Sequence, residues 1–319
     1  LNRIAVITSG GDAPGMNAAL RAVVRAALRR GAEVVGFDHG YEGIINNEAR
    51  PLTSISVGGI IDRGGTILRT ARSKRFMTVE GRQLAVDNLR ANGCEGLVVI
   101  GGDGSLTGAL KLHEEFDFPV MGVPGSIDND IAGTDFSIGF DTAVNTAVEA
   151  IDRVRDTAYS HERVFVIEVM GRRNGFIALE AGIAGGAEAV IIPEVEHDIK
   201  SICESLQEAS TKGKRSSIIV VAEGAGHAQE ISDDIHSRTG FETRAVVLGH
   251  MQRGGSPTQA DRVLALRLGA MAANRLLSGY RGEMCGVEGT KVVSHPISFV
   301  LSTEREIDSE RLWLVTALS

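Results

Sequence analysis

Ile4-Ala5-Val6-Ile7-Thr8-Ser9-Gly10-Gly11-Asp12-Ala13-Pro14-Gly15-Met16-Asn17 is the stretch that decides the fold. Four apolar residues without alternation read as a strand buried on both faces. A glycine pair then breaks the strand, and an apolar period of 3.6 residues runs over 16–30. A strand that turns through glycines directly into a helix is the opening unit of a parallel α/β sheet. Gly10 and Gly11 let backbone approach a ligand. The following helix aims its unpaired N–H groups and the positive end of its dipole at the same place, so an anion belongs there.

The same grammar repeats outward along the chain. Leu97-Val98-Val99-Ile100 ends in Gly101-Gly102-Asp103-Gly104-Ser105 and is again followed by a helical pattern. Further unbroken apolar runs at 164–169, 189–192, 217–221 and 245–248 read as buried strands, and 83–91, 142–157 and 258–277 carry helical periodicity. This alternation predicts an α/β protein with two Rossmann-like, doubly wound domains whose sheets are largely parallel. At 319 residues the chain is long enough for two packed domains. Its 39 glycines, against 7 prolines, gather in pairs at strand ends, which is where such folds meet ligands.

Composition narrows the function classes. Hydrophobic residues at 43% and charged residues at 23% describe a globular protein, and a net charge of −8 argues against a sequence-independent grip on nucleic acid or anionic lipid. Cys94, Cys203 and Cys285 are far apart with no C-x-x-C, which favours neither a disulfide framework nor a zinc site. Leu1-Asn2-Arg3 runs into the first strand with no charged leader, cleavage site or spanning apolar run, so a cytoplasmic location is expected.

The carboxylates carry the chemistry. Asp103 lies among amides that would cradle phosphate, where it either caps the next helix or holds a divalent cation against the phosphates. In Gly122-Val123-Pro124-Gly125-Ser126-Ile127-Asp128-Asn129-Asp130, two aspartates and an intervening asparagine exceed what one turn needs, and both carboxylates can reach a ligand over the turn. The chain has no G-x-x-x-x-G-K-[ST], and neither glycine turn spells G-x-G-x-x-G, so P-loop and dinucleotide readings lose ground.

Thr8-Ser9-Gly10-Gly11-Asp12, Gly101-Gly102-Asp103-Gly104-Ser105, Pro124 to Asp130, Met170-Gly171-Arg172, Ala222-Glu223-Gly224 and Leu248-Gly249-His250-Met251-Gln252-Arg253-Gly254-Gly255 occur in the order and spacing of the bacterial 6-phosphofructokinases. The resemblance covers essentially the whole chain. It implies an ATP-binding large domain at 1–139 plus 252–305, a sugar-phosphate-binding small domain at 140–251 plus 306–319, and an active site in the cleft between them. By the same resemblance, Asp128 is the general base for the 1-hydroxyl of fructose 6-phosphate. Asp103 holds Mg2+ with Asp130 near the same charges, Arg172 neutralises the transferring phosphoryl group, and Arg72 serves the nucleotide phosphates. Gly11, Tyr41, Arg72, Ser73, Gly102, Asp103, Gly104 and Ser105 match the ATP side. Ser126, Met170, Gly171, Arg172, Glu223, His250 and Arg253 match the sugar side. Arg163 and Arg244 correspond to arginines that reach the 6-phosphate from a neighbouring subunit, which implies a homotetramer.

Gly104 and Gly125 are bulkier in the pyrophosphate-dependent relatives, so their presence here implies ATP as donor. Arg21 and Arg25 lie four apart on the first helix, opposite the stripe of Leu20, Val23, Val24 and Ala27. Read alone they form a solvated face. In the resembled family they join Arg155, Glu188, Lys212 and Lys214 in a pocket where ADP activates and phosphoenolpyruvate inhibits. Gly59 stands where many members carry aspartate and Ser216 where they often carry histidine, which leaves the strength and the identity of control open. Ser126 stands for a more usual threonine, Ser73 for a common cysteine, and Met77 for a basic residue near the nucleotide. The competing readings are a pyrophosphate-dependent enzyme, a non-catalytic nucleotide sensor and a dinucleotide-dependent oxidoreductase. A sensor would be expected to lose Asp128, Asp103 or Arg172, and all three are present.

Overall fold

A computed structural model describes residues 1–318. The chain divides into two compact units, Leu1–Asp141 with Arg253–Arg305, and Thr142–Gln252 with the segment from Glu306 on.

The first unit opens with β1 (Arg3–Ser9), α1 (Met16–Arg29), β2 (Glu33–Phe37), α2 (Gly40–Ile45), β3 (Ala49–Leu52), α3 (Val79–Ala91), β4 (Leu97–Gly101), α4 (Asp103–Phe116) and β5 (Val120–Pro124). Helix α5 (Phe140–His161) carries the chain onward to β6 (Val164–Val169), α6 (Phe176–Ala184), β7 (Ala189–Ile191), α7 (Ile199–Thr211), β8 (Ser217–Ala222), α8 (Ala228–Thr239) and β9 (Thr243–Val247). The first unit then resumes with α9 (Gln259–Leu277), β10 (Glu283–Glu288), β11 (Lys291–Pro296) and α10 (Ile297–Ser302), and α11 (Ser309–Leu318) belongs to the second. Two α/β units with largely parallel sheets are what the sequence predicts.

The first sheet has the order β11-β10-β5-β4-β1-β2-β3, parallel throughout except at its two edges, where β3 and β11 run antiparallel to their neighbours. Ala5, Ile7, Leu97 and Val99 share a core with Ile44 of α2, Leu89 of α3 and Leu106 of α4. Ile4, Val6, Val98 and Ile100 are fully buried as well. Alternation of Cβ direction puts these four on the opposite face of the sheet. Helices α1 and α9 bury Leu20, Val23, Leu268 and Ala272. The two helices pack so closely that a Cβ on Gly269 would lie 2.5 Å from the Ala19 carbonyl. This two-sided cover explains why the strands read as unbroken apolar runs.

The second sheet, β7-β8-β6-β9, is parallel throughout. Val164, Val166, Ile219 and Val221 form its core with Cys203 and Leu206 of α7 and Ile231 and Ile235 of α8. Caps fix several helix starts: Thr258 accepts from the Asp261 N–H at 3.3 Å, Asp198 from Lys200 at 2.9 Å, and Thr78 from Gly81 at 3.1 Å.

Element ends depart from the expected ones in places. Helix α5 is longer than 142–157, and the strand expected at 245–248 is Thr243–Val247. Strands β2, β3, β5, β10 and β11 were not among the runs singled out.

Candidate active site

Strand order reverses between β1 and β4, which lie side by side although the chain leaves them in opposite directions. Crevices at such a switch point, beyond the carboxyl ends of the strands, are where open α/β sheets hold ligands. The register is explicit: Ser9 pairs with Gly101, and Gly101 with Pro124. The three loops that follow, at Gly10-Gly11, Gly102-Asp103 and Gly125 to Asp130, therefore leave one sheet edge side by side. Gly101 is required there, because a Cβ on it would sit 2.3 Å from the Ser9 carbonyl oxygen. Gly10 has φ +86, a left-handed conformation that glycine adopts without strain.

Helix α4 starts at this edge. Its N-cap is Gly102, which has no side chain to cap the first turn, and Asp103 and Gly104 are exposed at its start. A Cβ on Gly104 would meet nothing within 4 Å, so the space over this turn is open. First-turn N–H groups in open space beside an exposed carboxylate suit a phosphate chain carrying a divalent cation.

Asp128 and Asn129 are buried, at 3% and 2% exposure. Ser126 Oγ accepts from the Asp128 N–H at 3.2 Å and donates to Asp130 Oδ1 at 3.3 Å, so one hydroxyl links the two aspartates. Asn129 has φ 55, and its Oδ1 accepts from the Ser137 N–H at 2.8 Å. A non-glycine residue holds this backbone only when its surroundings fix it.

Tyr41 is buried at 6% exposure, and its hydroxyl donates to the Ser105 carbonyl at 2.5 Å, in the first turn of α4. Burial pushes that hydroxyl far above the usual tyrosine range. Its ring stacks on Phe76 with centroids 4.0 Å apart. Ser73 donates to Glu42 and accepts from the Phe76 N–H at 3.1 Å, and Arg75 donates to Glu42 and Asn46. The Glu42 carboxyl lies below its ordinary value, through the Ser73 hydrogen bond first and then Arg75. Glu42 thus ties α2 to the segment carrying the exposed Arg72. Arg253 belongs to this first unit, where its Nη1 donates to the Asp12 carbonyl at 3.3 Å and approaches Gly11.

The second unit gathers its own set at the carboxyl edge of its sheet. Val169 pairs with Ala222, which brings Met170-Gly171-Arg172 beside Glu223. Glu223 Oε1 accepts from the Gly171 and Arg172 N–H groups at 3.2 and 2.8 Å. Arg172 is exposed, with φ 55. His250 is exposed in the short 3-10 turn Gly249–Arg253. The fully buried Gln252 accepts from the Met170 N–H at 2.8 Å, fixing that turn against the end of β6.

Arg163 and Arg244 meet at Glu242, at 2.8 and 2.5 Å. They lie at the starts of β6 and β9, the edge opposite Met170. Among the residues expected to bind effectors, Arg155 donates to the Gly186 carbonyl at 2.8 Å and Lys214 pairs with Glu188 at 2.8 Å, while Lys212 pairs with Glu208. Arg21 and Arg25 lie on α1 of the first unit, and burial followed by Arg25 lowers the pKa of Arg21. Sequence reasoning missed Glu42, Phe76 and Gln252. The only available signal was the position of Gln252 inside the motif ending in Arg253-Gly254-Gly255.

Glycine turns at a switch point, an open helix start and an acidic loop define an α/β protein built to hold a phosphorylated ligand. The phosphofructokinase profile matches residues 3–276. The chain is 56% identical over its full length, and that of the relative, to an ATP-dependent 6-phosphofructokinase of Halalkalibacterium halodurans, and 55% identical, equally complete, to one of Bacillus subtilis. Among solved structures, a phosphofructokinase of Saccharomyces cerevisiae superposes with a TM-score of 0.88 at 38% identity over 95% of this chain, which spans 45% of the yeast chain. A pyrophosphate-dependent phosphofructokinase of Marinobacter aquaeolei shares the fold, with a TM-score of 0.87 at 22% identity, over 97% of this chain and 86% of its own. The chain belongs to the phosphofructokinase family.

Proposed function

We propose that the chain is an ATP-dependent 6-phosphofructokinase, a glycolytic kinase that transfers the γ-phosphoryl group of ATP to the 1-hydroxyl of fructose 6-phosphate. The observation that carries this reading is the register Ser9–Gly101–Pro124, which aligns two glycine turns and the acidic loop on one sheet edge. Full-length relatives at 55–56% identity bear the same activity in their names.

Asp128 takes the proton of the attacking hydroxyl, which is how an alcohol becomes a nucleophile near neutral pH. Gly11, Gly102, Gly104 and Ser105 offer backbone to the nucleotide phosphates, Arg72 adds charge, and Tyr41 and Ser73 support the nucleotide side. Asp103 would hold Mg2+, with Asp130 close to the same charges. Mg2+ is ordinarily bound by one or two carboxylates together with substrate phosphates. The exposed carboxylate beside open space fits that, and among the described residues no cluster of three or more His, Cys, Asp or Glu forms a protein cage. When bound, the ion offsets the charge of the phosphates. Arg172 meets charge developing on the transferring group. Ser126, Met170, Gly171, Glu223, His250 and Arg253 hold the sugar.

Arg163 and Arg244 serve the 6-phosphate of a neighbouring subunit in a homotetramer. Arg163 and Met170 flank the six residues of β6 and lie seven residue steps apart, about 23 Å at ~3.3 Å per residue, more than a side chain spans. ADP or phosphoenolpyruvate would act at Arg21, Arg25, Arg155, Glu188, Lys212 and Lys214. A cytoplasmic location accords with three free, buried cysteines, and among the described residues no helix is long and apolar enough to cross a membrane.

A coupled assay of fructose 1,6-bisphosphate formation tests the donor. Product is expected with ATP and Mg2+ and at most a trace with pyrophosphate; the reverse preference would overturn the assignment.

A further inference from the structure

Arg305 is the last residue of the first unit. Its Nη1 donates to the carbonyls of Asn129 at 3.0 Å and Thr134 at 3.1 Å, and its Nη2 to the carbonyl of Asp135 at 2.5 Å. One guanidinium therefore closes the loop that begins beside Asp128 and carries Asp130, binding its two ends together. The loop has other ties at its far end: Asp135 N–H donates to the Val287 carbonyl at 2.7 Å, and Thr134 Oγ1 accepts from the Val287 N–H at 3.0 Å. The Asn129 carbonyl, at the left-handed residue between the two aspartates, is where Arg305 acts. Burial lowers the pKa of this guanidinium, and Asp135 and Asp130 oppose that shift.

We infer that Arg305 is a positioning residue for phosphoryl transfer: by holding the Asn129, Thr134 and Asp135 carbonyls it fixes the backbone that aims Asp128 and Asp130. The inference rests on the reading of Asp128 as the general base. The guanidinium reaches the Asn129 and Thr134 carbonyls from Nη1 and the Asp135 carbonyl from Nη2; an ammonium keeps the charge and three donors but holds them on one nitrogen, without the fixed planar fork. A displacement of the base by about 1 Å costs turnover far more than it costs binding.

The test is steady-state kinetics on full-length Arg305→Lys and Arg305→Ala, with Asp128→Ser and Arg275→Met alongside. Arg275 pairs with Glu283 at 2.6 Å, at the start of β10 and so at the opposite end of the sheet, and its loss reports destabilisation alone. Arg305→Lys and Arg305→Ala are both expected to lower kcat about 10- to 100-fold with both KM values nearly unchanged. Millimolar methylguanidinium should restore part of the kcat of Arg305→Ala, while Arg275→Met keeps its kcat. If Arg305→Ala does not fold, Arg305→Lys carries the test. Wild-type kcat in Arg305→Lys, or the same kcat loss in Arg275→Met, overturns the inference. Full turnover in Asp128→Ser would instead show that the underlying reading of the base had failed.

Discussion

Glu42 shows how a single side chain governs a segment it does not belong to. Its carboxylate accepts from Ser73 and Arg75, and those bonds hold Phe76 in place against the Tyr41 ring. Because the folded-state pKa of Glu42 lies below the ordinary 4.5, its contribution is fully present above that pH and is lost as pH falls toward the folded value. Glu42→Gln should therefore lower Tm by about 2–4 °C near neutral pH, for a network worth about 1 kcal/mol. In thermal scans across pH the gap between the two proteins should shrink below pH 4.5. A gap that widened in acid would contradict this role. At this scale the sequence was legible where chemistry is contiguous: Asp128, Asn129 and Asp130 announce themselves in one loop. Gln252 and Arg305 did not, because each acts on backbone groups 82 and 176 positions away, and no local pattern records such a bond.

Helix α4 and the strand before it assign two neighbouring glycines opposite duties. Gly101 is packed against the Ser9 carbonyl, whereas Gly104 faces open space. Gly101→Ala must force β1 and β4 apart and should cost about 2–3 kcal/mol or more. Gly104→Ala should leave stability unchanged or raise it by about 0.5–1 kcal/mol, since alanine favours the helix. It should still raise KM for ATP, because its methyl enters the space above the turn. Thermal unfolding together with ATP titration separates the two, and equal loss of stability in both variants would contradict this division. Among elements, β1, β4, β6 and β8 were readable because strands covered on both faces are unbroken apolar runs. β10 and β11 were not, since an antiparallel edge hairpin with partly exposed residues such as Val292 and Ser294 carries no such run. α5 extends beyond 142–157 at both ends, where the buried Phe140 and Ala158 continue the apolar face of Ala143, Ala147 and Ile151, while Asp141 and Ser160-His161 lie outside it.

In the whole molecule the chain passes between its two compact units three times, after Asp141, Gln252 and Arg305. No proline-rich or polar linker marks the first two crossings, whereas the third falls in the polar segment Thr303-Glu304-Arg305-Glu306. One lies within helix α5 and another within the turn Gly249–Arg253, so ordinary secondary structure hides the boundary from composition. Asp128, on the edge shared by β1, β4 and β5, is the proposed base for phosphoryl transfer to fructose 6-phosphate. The decisive measurement is the turnover of Asp128→Ser, taken beside the binding of ATP and fructose 6-phosphate to the same protein. The expected result is a loss of about 10²- to 10⁴-fold in kcat with both affinities retained; turnover close to that of the unsubstituted enzyme would contradict it.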